Sequence, residues 1–248
     1  MIQIQGLEKS FGSMRVLTGL DLEIPDNAVT TILGPSGTGK SVLLKHLVAL
    51  LEPDAGEILV DGRQVTTLEG DELYEHRKSF GVLFQDGALF GSMDIFDNVA
   101  FPLRRHTKLA EDQIADIVHT RLREVGLGNA QHKAPGELSG GMRKRAGFAR
   151  ALILNPKYVL FDEPDSGLDP VRTSLLCDLI LEEHEKGGGT YILVTHDIKT
   201  ARKVSDHVGL LWKGKRVAWG TTDEMFENDD PFVNQFLAGD SAGPLGMD

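Results

Sequence analysis

Residues 34 to 41 read Gly-Pro-Ser-Gly-Thr-Gly-Lys-Ser, three glycines followed by a cation and a hydroxyl. Gly34, Gly37 and Gly39 permit a tight loop whose backbone N–H groups converge on phosphate oxygens. Lys40 adds a charge that spans the terminal phosphates, and Ser41 offers its hydroxyl to Mg²⁺. Pro35, Ser36, Thr38 and Val42 complete the loop and the first helical turn, and belong to the same contact surface. The bland reading is a glycine turn before a helix. The full spacing, with an apolar strand before it and a periodic helix after it, favours a nucleoside triphosphate.

A second group supplies what such a phosphate needs. Residues 158 to 163 read Tyr-Val-Leu-Phe-Asp-Glu. The strand carries Asp162 to a sheet edge, where it holds Mg²⁺ through water, and Glu163 beside it positions or deprotonates the attacking water. Gln85 follows another buried strand and is placed to touch both the metal and that water. His196 ends the run Thr190–His196, where its imidazole donates to the terminal phosphate. A lone histidine is more often structural; His196 is singled out by the pattern around it.

Leu138-Ser-Gly-Gly-Met142 is a second glycine motif. Ser139 opens a helix, so its hydroxyl and the Gly140 and Gly141 amides form another anion nest.

The elements that must position these groups alternate. Strand patterns occur at 16–24, 28–33, 56–62, 80–84, 158–161, 190–194, 207–211 and 216–219, with turns at Asp61-Gly62 and Lys213-Gly214. Helical spacing occurs at 40–50, 95–103, 111–125, 140–154 and 171–186, with one or two short helices within 221–237. Strand and helix in alternation predict a mostly parallel sheet covered on both faces, hence an α/β fold. Residues 87–153 read as a helical insertion, 1–237 as a single domain, and 238–248 as a flexible tail.

The chain has 248 residues and a net charge of -11, which disfavours a nucleic-acid partner. Its one cysteine, Cys177, lies in an amphipathic run and reads as a packing group. The N-terminus lacks a basic region followed by an apolar one, and no stretch approaches a membrane span, so the expectation is a cytoplasmic chain.

In order, Phe11, the 34–41 loop, Gln85, Leu138–Met142, Asp162-Glu163, Ser166-Gly-Leu-Asp169 and His196 resemble the nucleotide-binding subunit of an ABC transporter over nearly the whole chain. The resemblance implies a P-loop NTPase with a RecA-like core, an antiparallel β-subdomain and an inserted α-helical subdomain. It implies Mg²⁺-dependent hydrolysis of ATP in a head-to-tail pair of copies, Ser139 and Gly141 of one capping the phosphates on the other. Phe11 matches the aromatic that stacks on adenine; a place in the core is its plain alternative.

Two departures stand out. Met142 replaces the usual glutamine, and Asp165 places a negative charge before Ser166 where a small residue is usual. Residues 81–104, with Met142, are similar to the ATPases of the Mla and Mce lipid-transport systems, and 163–172 lean towards the actinobacterial Mce branch. That likeness implies an MlaE- or YrbE-like permease, Mce- or MlaD-like lipid-binding proteins, and a seat on the cytoplasmic face of the inner membrane. Leu89, Phe90, Ile95, Phe96 and Phe101 would form the docking patch, unless they are only the core of the helical insertion. Residues 221–248 are left open between clasping the opposite subunit and binding an accessory protein. Another cargo, a soluble role in translation or DNA repair, and a non-hydrolysing switch are the rival readings.

Overall fold

The computed structural model describes residues 1–245. Its larger sheet contains six strands in the order β10-β9-β3-β8-β7-β6. These are β3 (Val29–Leu33), β6 (Phe80–Leu83), β7 (Tyr158–Asp162), β8 (Thr190–Thr195), β9 (His207–Trp212) and β10 (Lys215–Thr221). All neighbours are parallel except β10, which turns back on β9. A smaller antiparallel sheet pairs β1 (Ile2–Phe11) with β2 (Met14–Ile24) and β4 (Ala55–Val60), and β4 with β5 (Arg63–Gln64).

The continuous apolar runs of the central strands are explained by burial on both faces. On β7, Tyr158 and Leu160 join the core shared with the small sheet and with α1 (Lys40–Leu47). Val159 and Phe161 point the other way, into a core shared with four helices. These are α3 (Ile95–His106), α4 (Glu111–Glu124), α5 (Gly140–Leu152) and α6 (Pro170–Gly187). β8 divides likewise, Ile192 and Val194 to one side, Tyr191 and Leu193 to the other. A third core lies under α8 (Thr222–Phe226) and α9 (Pro231–Ala238).

Phe148 of α5 is fully buried and stacks on Phe161 of β7, ring centroids 5.7 Å apart. Phe161 meets Tyr191 of β8 at 5.6 Å. This aromatic column fixes the helix that begins at Ser139 against the strand that ends at Asp162.

β1, α2 (Gly70–Lys78) and α7 (Ile198–Val204) escape the periodicity of the sequence, as does the two-residue β5. In β1 the alternation of Ile2 and Ile4 is broken before Leu7 by a register shift, so no clean strand pattern survives. α2 buries no residue and therefore has no apolar stripe. α7 is only seven residues long, started by Asp197, whose carboxylate accepts from the Thr200 amide. Within 239–245, Leu245 is buried and its amide donates to Gln235 Oε1 at 2.7 Å; residues 246–248 of the expected tail lie outside the described residues.

Candidate functional site

The parallel strands place their carboxyl ends on one edge, the position where open α/β sheets bind ligands. Leu33 is level with Thr195, Asp162 with Val194, and Leu83 with Phe161. The glycine loop after β3, Gln85 after β6, Asp162-Glu163 at the end of β7 and His196 after β8 are thus delivered to one side. The order of strands, not closeness in sequence, assembles the site.

The loop needs glycine for two separate reasons. A Cβ on Gly34 would lie 2.4 Å from the Leu211 carbonyl oxygen, so no side chain fits. Gly39 caps α1 at φ 98°, a left-handed conformation, and a Cβ there would press on Leu17 and Val16. The loop therefore packs against β9 and β2 while exposing Ser36 and Gly37. Thr38 Oγ1 donates to the Pro35 carbonyl at 2.9 Å and closes the turn.

Lys40 is buried, with its ammonium donating to the carbonyls of Gly34 at 2.8 Å and Pro35 at 2.9 Å. Glu163 Oε1 stands 3.7 Å from that ammonium and 3.7 Å from His196 Nδ1. Burial pushes the Lys40 pKa down, opposed by the neighbouring Glu163, Asp162 and Asp165 charges. Burial likewise pushes Asp162 up, and the hydrogen bond from Ser41 acts against it. Ser41 Oγ donates to Asp162 Oδ1 at 2.6 Å.

No group of three or more His, Cys, Asp or Glu among the described residues is arranged to hold a metal ion. The available donors are one hydroxyl and one carboxylate, both hard oxygens. Such a partial set suits an ion completed by phosphate oxygens and water, as Mg²⁺ usually is.

Gln85 is exposed and its amide donates to Ser166 Oγ at 3.4 Å, not to Ser41 or Asp162. Phe11 is 44% exposed, with Lys9 Nζ 5.7 Å from its ring centre, so the core alternative for Phe11 is excluded. Ser139 accepts from the Met142 amide at 3.4 Å and caps α5, leaving itself and Gly140 exposed. Ser139 and Gly141 line a groove of about 530 Å³ shared with Met142, Leu168 and Arg172; none of residues 34 to 42 lines it.

The apolar segment after Gln85 divides. Ile95 is fully buried, and Leu89 and Phe96 pack against the core. Phe90 and Phe101 are 42% and 38% exposed, their rings 5.0 Å apart, forming a surface pair. Asn98, which has no counterpart in the sequence reading, fixes that surface. It accepts from the Phe90 amide at 2.7 Å and donates to the Phe90, Met93 and Asp94 carbonyls.

Asp165, the extra negative charge before Ser166, is turned inward. It is 7% exposed and its carboxylate accepts from Thr195 Oγ1, which in turn accepts from the Asp197 amide at 2.9 Å. It braces the strand end that carries His196. Burial pushes its pKa up.

Residues 17–166, more than half of the chain, match the ABC transporter family. The chain belongs to that family. It is 53% identical over 246 residues to the Mycobacterium leprae protein described as a probable ribonucleotide transport ATP-binding protein, mkl, covering 99% of this chain and 71% of that one. It is 42% identical over 245 residues to MlaF of Haemophilus influenzae, the ATP-binding protein of an intermembrane phospholipid transport system, covering 99% and 93%. The fold superimposes on the ATP-binding cassette MJ0796, solved as a post-hydrolysis dimer with ADP and Pi. The TM-score is 0.82 at 28% identity, over 90% of this chain and 99% of that one. The chain is an ATP-binding and ATP-hydrolysing subunit with the ABC cassette fold. No described helix is long and apolar enough to cross a membrane.

Proposed function

We propose that this ABC ATPase powers phospholipid transport through the bacterial envelope. It works as two head-to-tail copies on the cytoplasmic face of the inner membrane, beneath an MlaE- or YrbE-like permease joined to Mce- or MlaD-like lipid-binding proteins. The observation that carries the cargo is the 42% identity to the phospholipid-system ATPase, running through 93% of that protein. The exposed Phe90–Phe101 pair, stacked under Arg150 with its guanidinium 5.6 Å from the Phe90 ring, supports a docking surface for the permease.

In this reading the amides of residues 34 to 41 and the α1 N-terminus hold the β- and γ-phosphates, with Lys40 swinging from its carbonyl partners onto them. Phe11 stacks on the adenine. Ser41 and Asp162 hold Mg²⁺, with Gln85 approaching from the helical side. When bound, the ion neutralises charge between the phosphates. Glu163 orients a water and accepts its proton as the new oxygen–phosphorus bond forms and the bond to the ADP oxygen breaks. His196 donates to the γ-phosphate, while Ser139, Gly140 and Gly141 of the second copy cap it. The groove that Ser139 and Gly141 line is one that residues 34 to 42 do not enter, and in this reading closing the pair completes each site and hydrolysis reopens it.

Affinity isolation from native membranes tests the assignment. The expected product contains an MlaE/YrbE-like permease, an Mce-like protein and retained phospholipid. A permease of another class, or a ribonucleotide as the transported species, would reject it.

A further inference from the structure

Glu163 has a backbone conformation that its residue type disfavours. Its φ is 47°, in the left-handed region, which is unfavourable for a non-glycine residue unless its surroundings hold it. Both of its peptide groups are held. Its amide donates to the Val194 carbonyl at 2.9 Å. Its carbonyl accepts from the Ser166 amide at 3.2 Å and from Lys144 Nζ at 3.3 Å, and the same ammonium donates to the Ser166 carbonyl, so Lys144 ties together both ends of that turn.

Lys144 belongs to α5, five residues after Ser139, and is only 4% exposed. A buried ammonium is an expensive way to fill space, since methionine has similar length and no charge to desolvate. Burial pushes its pKa down, and the nearest opposing charges are Asp165, Asp86 and Glu163. None of the three lies within ion-pair distance among the described contacts, so the backbone carbonyls are its direct partners. The same helix holds the segment after Gln85, through Arg150 donating to the Gly87 and Ala88 carbonyls at 2.9 Å.

We infer that Lys144 is a positioning residue that clamps Glu163 in its left-handed conformation, and so aims the carboxylate at the reacting water. The inference rests on the reading of Glu163 as the group that acts on water. Without the ammonium, the Glu163 carbonyl keeps only the Ser166 amide, the left-handed turn loosens, and the carboxylate loses its fixed aim at the Lys40–His196 side. Lys144 makes no hydrogen bond to residues 34 to 42, so the phosphate-binding loop of the same copy is untouched.

The test is steady-state ATP hydrolysis by the full chain, with thermal melting measured alongside. Lys144→Met is expected to lower kcat about tenfold or more, with KM within about twofold, the signature of a group that acts only on the chemical step. Lys144→Arg, which keeps charged donors, is expected within about fivefold of the wild-type kcat. Wild-type kcat in Lys144→Met overturns the clamp. So do Met and Arg variants that are equally slow with equal drops in Tm, which is the result of a purely packing role.

Where Lys144→Met yields no folded protein, Lys144→Gln takes its place. An intermediate kcat at unchanged KM supports the clamp and a wild-type kcat overturns it. Glu163→Gln in parallel separates the two levels. Normal hydrolysis by that variant removes the role of Glu163 and the clamp with it. Loss of hydrolysis there beside wild-type kcat in Lys144→Met removes the clamp alone.

Discussion

Ser41 donates to Asp162 across 2.6 Å although 121 residues of chain separate them. The contact exists because β3 and β7 flank β8 in one parallel sheet, so the helix leaving one strand reaches the end of the other. A hydroxyl and a carboxylate sharing one hydrogen bond occupy the place where a cation can take both oxygens.

Ser41→Ala and Asp162→Asn are predicted to lower Mg²⁺-dependent ATP hydrolysis by about 10²–10³-fold, the range for loss of a charge-stabilising contact at a phosphoryl site. Titrating Mg²⁺ at saturating ATP checks it. The half-maximal Mg²⁺ concentration shifts upward in both variants.

Glu163→Gln keeps the shape of the side chain and removes its ability to take a proton. Hydrolysis is predicted to fall by about 10²–10⁴-fold, the usual contribution of a general base. ATP binding is retained, and ATP holds the pair closed. Sedimentation with ATP and with ADP distinguishes a trapped pair from separate copies.

The sequence made the strand ends legible because each motif sits immediately after an apolar run. The loop after β3, Gln85, Asp162-Glu163 and His196 all carry that signal. It did not reveal where Asp165 points, since nothing in the run Pro164–Gly167 tells a buried carboxylate from an exposed one. Only the neighbouring strand brings Thr195 to it. Lys144 was hidden in the same way, within a basic run from Arg143 to Arg145. A signal was present: Lys144 lies one helical turn before the fully buried Phe148, on the apolar face. Phe11 was ambiguous between core and surface because a strand end has no period to decide it.

Phe148→Ala removes the ring that joins α5 to β7. The predicted loss is about 3–5 kcal/mol of unfolding free energy, read from denaturant midpoints at constant slope. Hydrolysis by the protein that remains folded should fall as well, because α5 then no longer registers Ser139 against Asp162.

Asp165 gives a pH prediction whose sign follows from burial. Its folded pKa is raised, so the folded chain binds the proton more tightly than the unfolded one. The buried carboxylate therefore weakens the fold at pH above the folded value, and that cost disappears as pH falls below the unfolded value near 3.8. Asp165→Asn, which keeps an acceptor for Thr195, is expected to raise Tm at neutral pH. The gap should close on acidification in parallel thermal melts.

Whether one copy completes the other's ATP site is tested most directly by mixing two inactive chains. Lys40→Met lacks the phosphate cation but keeps Ser139; Ser139→Arg blocks the second glycine motif but keeps residues 34 to 41. Each alone is predicted to be inactive. An equimolar mixture forms mixed pairs with one intact composite site, and recovers roughly a quarter of the wild-type rate on random pairing. A silent mixture beside an active wild type, or wild-type hydrolysis by Ser139→Arg alone, would contradict a site shared between two copies.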